Sequence, residues 1–357
     1  MISYFNNKKI SFLLFCIGVF IVCSFVAHAA TWHFLLLHNF HLNELAGVYD
    51  SIVSGQAQWK CWQNRVFAAF AYDFLSSIYD DKLVGLASLS FISFFLIAFT
   101  SFFFSFMQKK SAFLSLFFAL SIVSIVLLFN NCWYLLWCNF ELVLGMVFLI
   151  ILTSPASKNM KLFLISVNFI AFAFVTERFF VYSALIGFWA LLEKDWKAFV
   201  LNVIVFAICV SIVMYLRNTL FIPAVDHENL PQAFGGNIVE MFGPGFIPRL
   251  ENLFQGVFST VLFKPLYPLF GNSHYSDWCQ WQSALVIVLT ITIFNFALFK
   301  KTKNTLVKAA VLTIPVYLGF FFVFSAISEP DKFILLFPLE ALIVYEACKL
   351  KSLNNAK

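Results

Sequence analysis

Residues 161–194 read KLFLISVNFIAFAFVTERFFVYSALIGFWALLEK. The run is too long for one pass, because a helix needs about 20 mostly apolar residues to cross the hydrocarbon core. Thr176-Glu177-Arg178 lies in its middle. Either one long tilted helix buries these charges or two short helices meet at them. Flanking charge decides. Lys158 and Lys161 precede the run, and Lys194 and Lys197 follow it. Cytoplasmic loops collect Lys and Arg, so two passes put both pairs on one side, whereas one pass splits them. The stretch therefore reads as two short helices, 162–176 and 179–193, with Glu177 and Arg178 near the outer surface.

Working outward, further apolar runs at 10–30, 83–107, 111–130, 132–153, 198–216, 282–299, 309–327 and 333–348 bring the expected spans to ten. Fifteen lysines, from Lys8 and Lys9 through Lys300 and Lys301 to Lys357, then fall inside, against eight cations outside. This orientation places both termini in the cytoplasm. The composition agrees: of 357 residues, 62% are hydrophobic and only 11% are charged, with a mean hydropathy of +0.88. Such a chain could not cover a soluble globule with polar groups. A soluble enzyme, a disordered tail, a coiled coil and a nucleic-acid-binding domain are excluded, the last because the +5 net charge is scattered rather than clustered. The expected fold is all-α, a single polytopic membrane domain over 1–357, in an inner (plasma) membrane. Fifty Phe and the excess of Lys over Arg read as codon bias, so Phe abundance says little about function.

Two long segments, 31–82 and 217–281, both face outward, and long loops on one face are where a membrane protein usually builds its site. Residues 64–79, NRVFAAFAYDFLSSIY, are amphipathic and too short to span, as expected of a helix lying at the interface. Residues 250–270 read the same way. The stretch 234–249, FGGNIVEMFGPGFIPR, is an irregular Gly/Pro loop without the lysine and spacing of a phosphate-binding P-loop. No internal repeat is visible, which counts against a repeat-built transporter. Lys8-Lys9, an apolar run and Ala27-His28-Ala29 also resemble a signal peptide; the run is long for one, and an uncleaved first span is the expectation.

The outer charges carry the chemistry. All four arginines, Arg65, Arg178, Arg217 and Arg249, fall on the outer side of a chain that otherwise writes Lys. Arg is suited to planar, bidentate phosphate or carboxylate contact, so the set points either to an anion site or to ion pairs such as Arg178 with Glu177. Acids also gather outside, Glu44 and Asp50 among them. Glu141, Glu177 and Glu340 lie in or against spans, where charge is expensive and a functional candidate by default. His38, His41 and Glu44 share a helical spacing, but not a standard zinc pattern; polar residues at a membrane exit explain them more simply. Cys61, Cys132, Cys138 and Cys279 fall outside, where one or two disulfides could form; Cys16, Cys23, Cys209 and Cys348 fall in spans.

Four pieces in order resemble polytopic membrane proteins of the GT-C glycosyltransferase type, in particular a group of uncharacterised bacterial members. Gly47-Val48-Tyr49-Asp50 through Gln63-Asn64-Arg65-Val66 resembles their first outer loop, an acid followed by an Arg at a short helix. Trp137-Cys138-Asn139-Phe140-Glu141-Leu142 resembles the acid at the outer start of the fourth span, where the family usually has Asp. Phe174-Val175-Thr176-Glu177-Arg178 resembles a Glu motif between two short helices. Glu329-Pro330-Asp331-Lys332-Phe333 with Pro338 resembles a Glu-x-Arg motif opening the last span, with Lys332 in place of Arg and displaced by a residue. The resemblance implies transfer of a sugar from a polyprenyl-phosphate donor on the outer leaflet to an envelope glycan, lipid or protein acceptor. It implies Asp50 as the catalytic acid or base, with Glu44 second. Arg65, Arg178 and Arg249 would hold the phosphate, and Glu177, Glu141, Glu329 and Lys332 would support them. Partners would be membrane lipid and the donor. A divalent metal serves some members and not others, and the sequence fixes neither that nor the oligomeric state. Competing readings are a transporter or flippase of an anionic lipid or polysaccharide, and a non-catalytic scaffold on the same fold.

Overall fold

The computed structural model describes residues 2–37, 42–55, 66–108, 110–129, 136–216, 295–296, 298–324 and 334–355. Among them every regular element is helical: α1 (Ile2–Leu37), α2 (Leu42–Val53), α3 (Val66–Tyr79), α4 (Lys82–Met107), α5 (Ala112–Phe129), α6 (Leu136–Thr153), α7 (Lys158–Val175), a 3₁₀ turn (Glu177–Phe179), α8 (Phe180–Leu192), α9 (Trp196–Tyr215), α10 (Thr305–Phe324) and α11 (Phe337–Asn355). Four of these are long and apolar enough to cross a membrane: Phe12–Leu36 within α1, and α4, α7 and α9. Apolar stretches in α3, α5, α6, α8 and α10 are shorter. Many large side chains point outward, among them Phe12, Phe25, Phe113 and Trp196. That surface suits hydrocarbon rather than water.

The stretch that decides the fold is broken where the charges lie. Helix α7 stops at Val175, Thr176 turns extended, and its hydroxyl accepts the Arg178 N–H at 3.2 Å to open the 3₁₀ turn. Ser and Thr take such local bonds in preference to continuing a helix. The chain then doubles back. Lys158, at the start of α7, forms an ion pair with Asp195, just after α8 ends, and its ammonium lies 6.0 Å from the Trp189 ring. The two lysine pairs that flank the stretch thus share one end.

The same alternation extends through the bundle. Phe15 near the start of α1 meets Phe106 near the end of α4, at 5.3 Å between centroids, while Phe34 meets Phe94. Helix α4 packs against α1, α3, α5 and α6 and forms the centre of the molecule's first half. Asn139 in α6 donates to Ser93 in α4 at 2.8 Å, an interhelical bond of the kind that joins apolar helices. In the second half, Asn202 of α9 and Ser183 of α8 exchange two hydrogen bonds. Glu193, just past α8, accepts from Thr305 at the start of α10. One end therefore collects Lys110, Lys158, Lys161, Asp195 and Thr305. The other collects Asp50, Lys82, Glu141 and Arg178.

Two expectations need correction. Helix α1 continues to Leu37, so residues 31–37 belong to it rather than to the first outer segment. That segment also holds α2, which the sequence reading left unassigned, ahead of the expected interfacial helix α3. Residues 217–281 lie outside the described residues, and of 282–299 only 295–296 and 298–299 are described.

Candidate functional site

The site is assembled from α2, the α3–α4 turn, the start of α6 and the 3₁₀ turn. Helix α2 buries Leu45, Ala46, Tyr49 and Ile52, a helical repeat that fixes its inner face. Asp50 follows the buried Tyr49 and stays 39% exposed in its side chain. Glu44 is exposed. The two carboxylates stand six positions apart, which points them about 120° apart around the helix axis.

The turn after α3 is shaped by three residues. Asp80 adopts a left-handed backbone with φ of 50°. Asp81 caps α4, its carboxylate accepting from the N–H groups of Leu83 and Val84 at 2.8 and 3.2 Å. Gly85 admits Ser76, whose Oγ lies 2.1 Å from where a Cβ would stand. Lys82 is thereby held at the first turn of α4 and reaches Asp50 at 2.6 Å. A cation at a helix N-terminus opposes the macrodipole. The Asp50 contact offsets that cost.

Behind this exposed pair stands a buried one. The guanidinium of Arg178 donates to Glu141 Oε2 at 3.2 Å, with 4% and 0% of the two side chains exposed. The same nitrogen lies 3.8 Å from the Cys138 sulfur, one helical turn from Glu141 on α6. Arg178 also follows the C-terminus of α7, where a cation is favoured. A further turn along α6, Gly145 leaves room for Tyr182. A Cβ there would lie 2.1 Å from the Tyr182 hydroxyl, which donates to the Leu335 carbonyl at 3.0 Å. The Tyr182 ring packs on Phe148 and Phe172 at 4.9 and 5.4 Å, which fixes the floor beneath the ion pair.

Two tyrosines join the pairs. The rings of Tyr49 and Tyr72 lie 5.2 Å apart. Burial, then the neighbouring Cys138 and Tyr72, raises the Tyr49 phenol well above its ordinary value. Burial, then the charge of Asp50, raises that of Tyr72. Both are neutral at neutral pH. Polar side chains thus follow one another from Asp50 and Lys82, past Tyr72 and Tyr49, to Cys138, Arg178 and Glu141, a trail of neighbours rather than a chain of hydrogen bonds.

Of the residues singled out in the sequence, Asp50, Glu141 and Arg178 fall along this trail, and Glu44 points elsewhere on the same helix. The backbone of Glu177 lies in the 3₁₀ turn. Arg65, Arg249, Glu329 and Lys332 lie outside the described residues, as do His38 and His41. Among the described residues no three His, Cys, Asp or Glu side chains converge as a metal site would require. Lys82, Tyr49, Tyr72 and Cys138 were not read as site residues. The signal available for Lys82 was a cation directly after a capping Asp, where helix electrostatics alone would not place one. Comparison with family models, characterised proteins and solved structures returns no match.

Proposed function

We propose that the chain is a GT-C type membrane glycosyltransferase of a bacterial inner membrane, with ten passes and both termini in the cytoplasm. It would transfer a sugar from a polyprenyl-phosphate donor to an envelope glycan, lipid or protein. The observation that carries this reading is the pairing of Asp50–Lys82 and Arg178–Glu141 at the lysine-poor end of the bundle, with the phenols of Tyr72 and Tyr49 between them. Asp50 accepts the proton of the acceptor hydroxyl as the acceptor oxygen attacks the anomeric carbon. The phosphate leaves with the electron pair of the broken bond, and Lys82 and Arg178 stabilise the charge that grows on it. Glu141 orients Arg178. Arg65 and Arg249 remain candidates for the same phosphate.

The test is transfer in proteoliposomes from synthetic polyprenyl-phosphate sugars to extracted envelope acceptors. Asp50→Asn should abolish transfer, while Arg178→Lys should weaken it by lowering donor affinity. Donor binding that is indifferent to both substitutions would reject the assignment. One observation favours the transporter reading instead: Glu340 is 9% exposed within α11, and the Asn295 amide contacts both of its oxygens at 3.2 and 3.0 Å. Accumulation of an anionic lipid or glycan in sealed vesicles, lost in Glu340→Gln, would select that alternative.

A further inference from the structure

Glu340 is a buried acid that the transfer chemistry does not use. It lies in the first turn of α11, where residues 338–343 are buried without a break. A buried run longer than one turn means that the helix is enclosed on every side there. Apart from Glu340 that run is apolar, Pro338, Leu339, Ala341, Leu342 and Ile343. The hydrogen-bonding partner of the carboxyl is the Asn295 amide, itself buried, whose nitrogen stands 3.2 and 3.0 Å from its two oxygens.

The titratable groups of the surrounding elements are engaged elsewhere. On α10, Lys308 lies 5.5 Å from the Phe299 ring and Tyr317 packs on Phe180. On α6, Cys138 and Glu141 stand at the Arg178 end. Tyr182 of α8 donates to the Leu335 carbonyl. Lys300, Lys301 and Lys303 are exposed. No side chain titrates between Leu83 and Met107 of α4, or along α5. Lys110 lies over the Tyr345 ring, and Tyr345 bonds Ser105. Further along α11, Glu346 accepts from Thr302, and Cys348 and Lys349 are exposed. Among the described residues no charged group acts on the Glu340 carboxyl. A carboxylate there would be an ion facing a neutral amide. One bond to a charged group offsets only part of the cost of burying it. Taking up a proton removes the charge. The amide serves both forms. Its NH2 donates to the carboxylate, and a half-turn presents its carbonyl oxygen to the O–H of the acid.

A second polar contact joins the same two segments nearer to water. Thr302 donates to the half-buried Glu346 at 2.9 Å, between the exposed Lys301 and Lys303. Glu346 stands six positions from Glu340, about 9 Å along the axis of α11. We propose that Glu340 and Asn295 form a proton-binding site, with the proton held on the Glu340 carboxyl at neutral pH and exchanged with water at the lysine-rich end. The inference rests on burial within the bundle, and on neither the transferase nor the transporter reading. Binding a proton moves no solute by itself.

Infrared difference spectra of the full chain in nanodiscs, taken between neutral and alkaline pH, test it. The C=O stretch of a protonated acid is expected at neutral pH, replaced by carboxylate bands in alkali. Glu340→Gln, which keeps the shape and sets one neutral amide against another and so should fold, should lose that signal. Dicyclohexylcarbodiimide, a membrane-soluble reagent, gives a second reading. The acid proton passes to one reagent nitrogen while the carboxyl oxygen bonds the central carbon. The acyl group then migrates to nitrogen as a stable N-acylurea, so nothing leaves and the mass of one whole reagent is added. Mass spectrometry should place that addition on Glu340 at neutral pH. In proteoliposomes of uniform orientation, alkali in the compartment at the lysine-rich end should suppress it, and alkali at the other end should not. An acid signal that is absent at neutral pH, or unchanged in Glu340→Gln, would overturn the proposal. So would labelling of Glu346 in preference to Glu340, or suppression by alkali from the opposite end alone. Loss of sugar transfer, or of solute accumulation, would leave it standing.

Discussion

Two ion pairs stand at the same end of this bundle, and they are built for opposite circumstances. Lys82–Asp50 is short, at 2.6 Å, and wet, with Lys82 66% exposed. Arg178–Glu141 is longer, at 3.2 Å, and dry. Exposed pairs contribute about 0–1 kcal/mol to stability. Breaking a buried pair costs about 3–5 kcal/mol, because one charge is left uncompensated. The difference separates roles. The outer pair can open to an incoming hydroxyl or phosphate at little cost to the fold, while the inner pair holds α6 to the turn between α7 and α8.

Substitutions can break or sharpen this contrast. The largest effect should come from Arg178→Ala, which strands Glu141 and should destabilise the fold by about 3–5 kcal/mol. Thermal unfolding in detergent measures it, and adding Glu141→Gln should recover part of the loss. If Arg178→Ala costs no more than a surface change, the inner pair is not structural. Next comes Gly145→Ala, which drives a methyl into the Tyr182 hydroxyl and should cost about 1–3 kcal/mol by overpacking. The same melts would show it, together with a changed tyrosine near-ultraviolet signal. Asp50→Asn should shift stability by less than about 1 kcal/mol, and any loss of transfer would then be chemical rather than structural. A cost equal to that of Arg178→Ala would collapse the distinction between the pairs.

The smallest effect belongs to the other end. Asp195 is held below its ordinary carboxylate value, first by its hydrogen bond from Lys158 and then by the Ala198 N–H. A depressed folded-state value contributes stability above the unfolded one, near 3.8, and loses it as pH falls through the folded one. Asp195→Asn should therefore remove this small contribution at neutral pH, where it is fully present, leave stability unchanged below the folded-state value, and so flatten the acid limb of the stability–pH profile. A large loss at neutral pH would show that this pair also fastens α7 to α9.

The all-helical class was legible because apolar run length is a global constraint that survives local error, and among the described residues four helices, in α1, α4, α7 and α9, are long and apolar enough to cross a membrane. The break at Thr176-Glu177-Arg178 was readable from four flanking lysines alone. Helix α2 was not, because Gly47 and the polar Asn43, Glu44 and Asp50 obscure its buried repeat of Leu45, Tyr49 and Ile52. The site was legible by residue type but not by pairing. Arg178 has an acid beside it in sequence, and nothing in the sequence says that the extended Thr176 backbone turns its guanidinium onto Glu141, 37 positions away. Lys82 was hidden for the related reason that only the Asp80–Asp81 turn directs it at Asp50.

The shortness of the α7–α8 hairpin has a consequence for the membrane around it. Thirteen residues make α8 about 20 Å long and eighteen make α7 about 27 Å, against a hydrocarbon core of about 30 Å. Spans shorter than the core thin the bilayer around themselves. On the transmembrane reading, the water boundary therefore dips toward Arg178. The turn that carries Arg178 would then sit nearer the headgroups than the longer neighbours α4 and α9 would place it.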